Sequence, residues 1–177
     1  MRVSLRSLPF AAAVGFAFLS LQPAGAQTVP SDPQIVGIVI AANDIDITYG
    51  KLALSKTKDK QVHDFAQQMV TDHSAVQKSV MDLGAKLHVT PADNPIAASL
   101  KKQAIETMAK LKGLSGRAFD KAYIDNEVAY HTAVIDAVSK VLIPNAQNAE
   151  VKAALTGAAP LFVGHLDHAK MLQSKLQ

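Results

Sequence analysis

Three stretches of this chain repeat apolar residues in steps of three and four, and each stripe is interrupted once by a histidine. The first reads Val62, Phe65, Met69, His73, Val76, Val80, Leu83, Leu87. The second reads Ile124, Val128, His131, Ile135, Val138, Leu142. The third reads Val151, Leu155, Ala158, Phe162, His165, Ala169, Leu172, Leu176. These steps place each set on one face of a helix, the face that a bundle buries. A further stripe, Ile35, Val39, Ala42, Asp46, Tyr49, Ala53, is interrupted by an aspartate. No stretch alternates with period two, so strands are not expected.

The residues between the stripes mark where helices start and stop. Asp32-Pro33 reads as an N-cap followed by proline in the first turn, opening a helix that runs to about Lys56. Asp59 caps a second helix reaching about Leu87, and the segment from His88 to Pro95 reads as a loop. A shorter helix fits Ile96 to Leu111, with Leu100, Ala104 and Met108 inward, and Gly113 and Gly116 end it. Ser115 caps the next helix, which runs to about Leu142, where Pro144 and Asn145 break the chain. The last helix spans Ala149 to Leu176 and contains Pro160. The expected fold is all-α: an up-and-down four-helix bundle with one additional short helix, over residues 32–177.

Ahead of that domain, Arg2 and Arg6 precede an apolar run from Leu8 to Leu21, followed by Ala24-Gly25-Ala26. This is the pattern of a secretory signal peptide over residues 1–26, cleaved after Ala26, with a short tether at 27–31. The apolar run is shorter than the roughly 20 residues of a membrane span, so retention as an anchor is the lesser alternative. The expected product is periplasmic or secreted, with no stable membrane span after cleavage.

Charge and composition narrow the picture further. The 18 Lys and Arg exceed the 15 Asp and Glu by three, but Arg2 and Arg6 leave with the signal peptide, so the mature balance is +1. Lys101, Lys102, Lys110, Lys112, Arg117 and Lys121 form a local basic excess with few aromatics among them, which reads as a solvated helix face and gives nucleic-acid binding no support. There is no cysteine. Disulfides, thiolate metal sites and cysteine nucleophiles are therefore excluded.

The chemistry rests on the stripe-breaking residues. An unpaired polar ring in a core costs roughly 1–3 kcal/mol, so each histidine needs a hydrogen bond or a metal. Asp46 lies on the inward face of the first helix and needs a partner too. Glu127 lies one turn before His131 and is a second acid near the same layer, with Asp120 and Tyr123 on its side of the helix as outer hydrogen-bonding groups. At about 1.5 Å of rise per residue, the offsets along the bundle axis are roughly 6–8 Å, which permits convergence without requiring it. His73, His131 and His165 with Asp46 and Glu127 are thus the candidate ligands for one transition-metal ion: zinc, copper, nickel or iron. His168 reads as peripheral, and His63 and His88 as exposed or loop-borne.

The segments FAQQMVTDH (65–73), FDKAYIDNEVAYH (119–131) and APLFVGHLDHA (159–169) resemble those of an exported bacterial family labelled domain of unknown function 4142 and regarded as ferritin-like. The resemblance covers residue 35 to the end and implies a ferritin-like bundle. The family pattern has a glutamate where this chain has Asp46, one methylene shorter. Di-iron carboxylate centres use Glu-x-x-His on two helices, whereas Val70, Val128 and Phe162 precede the three histidines here. A histidine-rich mononuclear site is therefore expected over a di-iron one. Two readings follow. One is an exported metal-binding bundle serving metal handling or envelope stress. The other is a non-catalytic scaffold whose core histidines are only structural. An enzyme lacks a nucleophile–base motif to support it, and the sequence leaves protein partners and self-association open.

Overall fold

The computed structural model describes residues 29–177, so the expected signal peptide and the first two tether residues lie outside the described residues. The described chain forms α1 (Asp32–Lys56), α2 (Lys60–Lys86), α3 (Pro95–Lys112), α4 (Gly116–Ala137), a π-helical turn (Val138–Leu142), the short α5 (Ile143–Asn145) and α6 (Ala149–Leu176). No helix among the described residues is long and apolar enough to cross a membrane.

Side-chain caps fix most of the helix starts. The Asp59 carboxylate accepts from the backbone N–H groups of Gln61 and Val62 at 2.8 and 3.1 Å. Asn148 does the same for Glu150 and Val151, and Asn94 for Ala97. The first helix is capped by Ser31 rather than Asp32, whose carboxylate instead accepts from the Gln147 and Asn148 N–H groups at 2.9 and 2.8 Å. It thereby ties the start of α1 to the start of α6.

Pro144 does not break the chain where the sequence suggested. The ladder widens into a π-turn just before it, which relieves the clash between the ring and the carbonyl one turn upstream. The helical path continues to Asn145, whose side-chain amide donates to the Val141 carbonyl at 2.8 Å. In α6, Pro160 is exposed, as is Thr156 one turn before it, so the carbonyl the proline frees lies on the solvent side.

Each of α1, α2, α3, α4 and α6 reverses the direction of the one before. The short α3 packs beside α1 and α4 and serves as the return between the two halves, so α2 and α4 run the same way. The long helices surround the core in the order α1, α2, α6, α4, with every neighbour antiparallel. The core has two unlike ends. Phe65, Met69, Phe119, Tyr123 and Leu172 fill one. Ile35, Val39, Val138, Leu142 and Val151 line the other. The stripe-breaking residues form a polar layer between them.

Candidate metal centre

The three histidines meet in that layer. His73 and His131 ring centroids are 5.5 Å apart, His73 and His165 5.1 Å, and His131 and His165 5.3 Å. The helices seal the site: Asp46 and Glu127 are 0 % exposed, His131 and His165 1 %, and His73 4 %. The ligating atoms of His73, His131 and His165 lie within 4.8 Å of one another, as do those of Asp46, Glu127 and His131. Asp46 Oδ2 is 3.0 Å from His73 Nε2 and 3.5 Å from His131 Nε2, and Glu127 Oε2 is 3.4 Å from His131 Nδ1.

The close approach of α1 and α2 at Gly50 sets the meeting of Asp46 with His73. A Cβ there would lie 2.8 Å from Val70 Cγ2 and 3.1 Å from the Ala66 carbonyl oxygen. Gly50 is one turn past Asp46, and Val70 one turn before His73. A Gly50→Ala protein should therefore be less stable by about 1–3 kcal/mol, as overpacking outweighs the helix propensity that alanine brings. Urea unfolding curves would show this as a lower midpoint at unchanged slope.

Each imidazole has one nitrogen held by the protein, and those partners fix the tautomers. The Asn43 amide nitrogen donates to the Val39 carbonyl at 2.8 Å, which turns its oxygen toward His73 Nδ1, also 2.8 Å away. His73 Nδ1 must therefore carry the proton. His131 Nδ1 donates to the Glu127 backbone carbonyl at 3.1 Å, and His165 Nε2 donates to the Asp72 carboxylate at 2.9 Å. This leaves His73 Nε2, His131 Nε2 and His165 Nδ1 as buried lone pairs with no hydrogen-bond partner among the described residues. The carboxyl oxygens of Asp46 and Glu127 are likewise buried and unpartnered. Five acceptor groups face one another; apart from a carboxyl proton, the buried donors near the acids are the Asn126 amide and the Tyr123 hydroxyl, neither with a hydrogen-bond partner among the described residues.

The electrostatics follow from that imbalance. Burial, and then the neighbouring Glu127, push the Asp46 carboxyl well above the ordinary carboxylate range. Burial raises Glu127 to about 8, against the lowering effect of the neighbouring Asn126 and Asp46 side chains. Burial, His131 and His165 depress His73 to about 3. Burial lowers His165 as well, offset by the hydrogen bond to Asp72. At neutral pH His73 is an uncharged nitrogen donor, so its 3.0 Å approach to Asp46 is not an ion pair.

The structure brings together all five of the candidate residues. It does not place Asp120 and Tyr123 as the outer hydrogen-bonding groups expected of them: Asp120 Oδ1 and the Tyr123 hydroxyl are buried without a partner. His168 is half-buried outside the layer, with Nδ1 3.1 Å from Gln68 Oε1, and His63 and His88 are exposed. Three contributors escaped the sequence reading: Asn43, Asp72, and Phe162, whose ring stacks on His73 at 5.7 Å between centroids. Asn43 lies off the α1 stripe and is buried because α2, α3 and α4 together cover nearly all of α1. Asp72 adjoins His73 in sequence but reaches across to α6, and only the packing of α2 on α6 reveals that. Phe162 precedes His165 by one turn, and that spacing was the one available signal.

A family model described as a domain of unknown function (DUF4142) matches residues 19–172. No curated protein and no solved structure matches the chain.

Proposed function

The chain belongs to the DUF4142 family, and on that footing we propose that it is an exported, ferritin-like bundle that holds one divalent transition-metal ion in its core. His73, His131 and His165 would supply nitrogen, and Asp46 oxygen, with Glu127 assisting. A single observation carries this reading: three lone-pair nitrogens and two carboxyl groups converge in a buried layer that, among the described residues, holds no lysine or arginine. A cation supplies the positive charge such a layer lacks, and burial of unpaired acceptors is otherwise costly.

The second nitrogen of each imidazole is bound to a carbonyl, a carboxylate or an amide oxygen, the outer arrangement that orients histidine toward a metal. The mixed nitrogen and oxygen set suits zinc, copper, nickel or iron and does not suit calcium or magnesium, which take oxygen ligands. Its role would be metal handling or envelope stress. Those same outer hydrogen bonds are what favour the alternative, a scaffold in which the histidines only support the core.

The test is an ion titration of untagged mature protein after dialysis against a chelator. At an ion concentration about a thousandfold above Kd, binding adds about 4 kcal/mol, which is on the order of 10 °C in Tm for a chain of this size. Elemental mass spectrometry should find close to one ion per chain. A protein that stays metal-free, with a Tm that responds to none of the four ions, supports the scaffold reading instead.

A further inference from the structure

Beside the polar layer lies a cavity of about 390 Å³, at the aliphatic end of the bundle. The sequence explains why it is there. Where the other end packs Phe65, Met69, Phe119 and Tyr123, this end lines the gap between its helices with the small side chains of Ala42, Ala75, Ser79, Ala137, Ala154 and Ala158. The larger residues around them are mainly β-branched and too short to close the gap. Ala75, Ser79 and Ala154 both line the cavity and are exposed, so its mouth opens between α2 and α6. Its inner end is closed by His73 and the stacked Phe162 ring.

The volume is that of a small-molecule site, and the walls specify its chemistry. None of the lining residues is lysine or arginine, so nothing there would hold an anionic head group. The polar groups deep in the wall are already engaged. The Asn43 amide is held by Val39 and His73, the Tyr130 hydroxyl donates to the Ala42 carbonyl at 2.9 Å, and the Asp72 carboxylate accepts from His165. A polar ligand would lose its water without gaining a partner. Apolar chambers far smaller than this stay dry and accept apolar guests.

We propose that this cavity is a binding site for one uncharged, unbranched hydrocarbon-chain molecule, which enters between α2 and α6 with its tail toward the Phe162 ring. The proposal does not rest on the metal reading: of the five candidate ligands only His73 reaches the cavity wall.

The probe is n-decanol, with n-decanoate as its charged counterpart, added to chelator-treated mature protein. Decanol should bind once per chain by native mass spectrometry and raise Tm in a saturable way, and decanoate should bind more weakly. An Ala158→Phe protein fills the chamber. It should have a higher Tm of its own and about tenfold or more weaker decanol affinity. If that variant lacks the helical circular dichroism of the parent, Ala154→Leu replaces it in the same assay. Absence of any decanol response overturns the proposal, as does a response unchanged in the folded variant. Tighter binding of decanoate overturns the uncharged class. A sedimenting dimer that decanol neither enters nor disperses overturns it in favour of a second copy of the chain at this face.

Discussion

A His131→Ala protein is expected to keep its helical fold and to lose the proposed metal binding. His131 belongs to both groups of ligating atoms, the three histidines and the pair of acids, so its removal breaks each of them. Loss of an outer-shell partner weakens metal sites by about 10–100-fold, and loss of a direct ligand should exceed that, so affinity should fall by at least about a hundredfold. The truncation also empties part of the core, at a cost comparable to the roughly 2–5 kcal/mol of other large-to-small changes. That is tolerable for a domain with typical stability of about 5–15 kcal/mol. A Glu127→Gln protein separates metal loss from general damage. It relieves the buried acid pair, so the metal-free form should be as stable as the parent or more so, while the gain in Tm on adding metal shrinks. Unaltered metal content in both variants would remove His131 and Glu127 from the ligand set.

The second large effect is the loss, on metal binding, of a pH dependence expected of the metal-free protein. In the metal-free protein, Glu127 is raised from 4.5 to about 8. Its contribution is fully present below about 4.5 and is lost as pH rises through 8, because the unfolded chain releases the proton first. His73 is depressed from 6.5 to about 3, so its contribution is present above 6.5 and lost as pH falls through 3. Asp46 acts in the same sense as Glu127, and His165 in the same sense as His73. Between 3.8, the ordinary value of Asp46, and 6.5 the two tendencies oppose; below that window the histidines act alone, and above it the acids. From pH 6.5 to 8 Glu127 by itself removes about 2 kcal/mol, since each pH unit is worth about 1.4 kcal/mol per proton. Melting temperatures in chelator should therefore fall over this interval, by roughly 4–8 °C. With metal bound the carboxyls are held as carboxylates, as they already are in the unfolded chain over this interval, so the fall should disappear, with proton release on binding. A metal-free protein that is more stable at pH 8 than at pH 6 would contradict the buried-acid account.

The two kinds of information in the sequence differ in reach. Apolar periodicity identified the buried face of each long helix, and with it His73, His131, His165 and Asp46, because a polar residue on such a face must be accounted for. Periodicity along one helix says nothing about its axial register against the next. That register depends on contacts such as Gly50 against Val70, which look like ordinary helix positions when read alone. Asn43 escapes for a related reason: it stands beside the inward stripe of α1, and only the packing of α2 on that flank brings His73 Nδ1 to its amide oxygen. Pro144 misled because a proline ordinarily ends a helix, and the π-turn that accommodates it has no signature in residue type. Direction along the bundle was also hidden, since the place where α3 packs is set by tertiary contacts and not by loop length.

The residues of the polar layer are divided between two hairpins. Asp46 and His73 stand on the α1–α2 pair, while Glu127, His131 and His165 stand on α4 and α6. An ion shared among them would cross-link positions as far apart in sequence as Asp46 and His165. In a chain with no cysteine, it would do the work of a disulfide. Tying off a loop of around 100 residues restricts the unfolded chain by about 4–5 kcal/mol in the entropic picture. Unlike a disulfide, this link needs no oxidant and can be withdrawn by a chelator, so the chain's topology would become a function of metal supply.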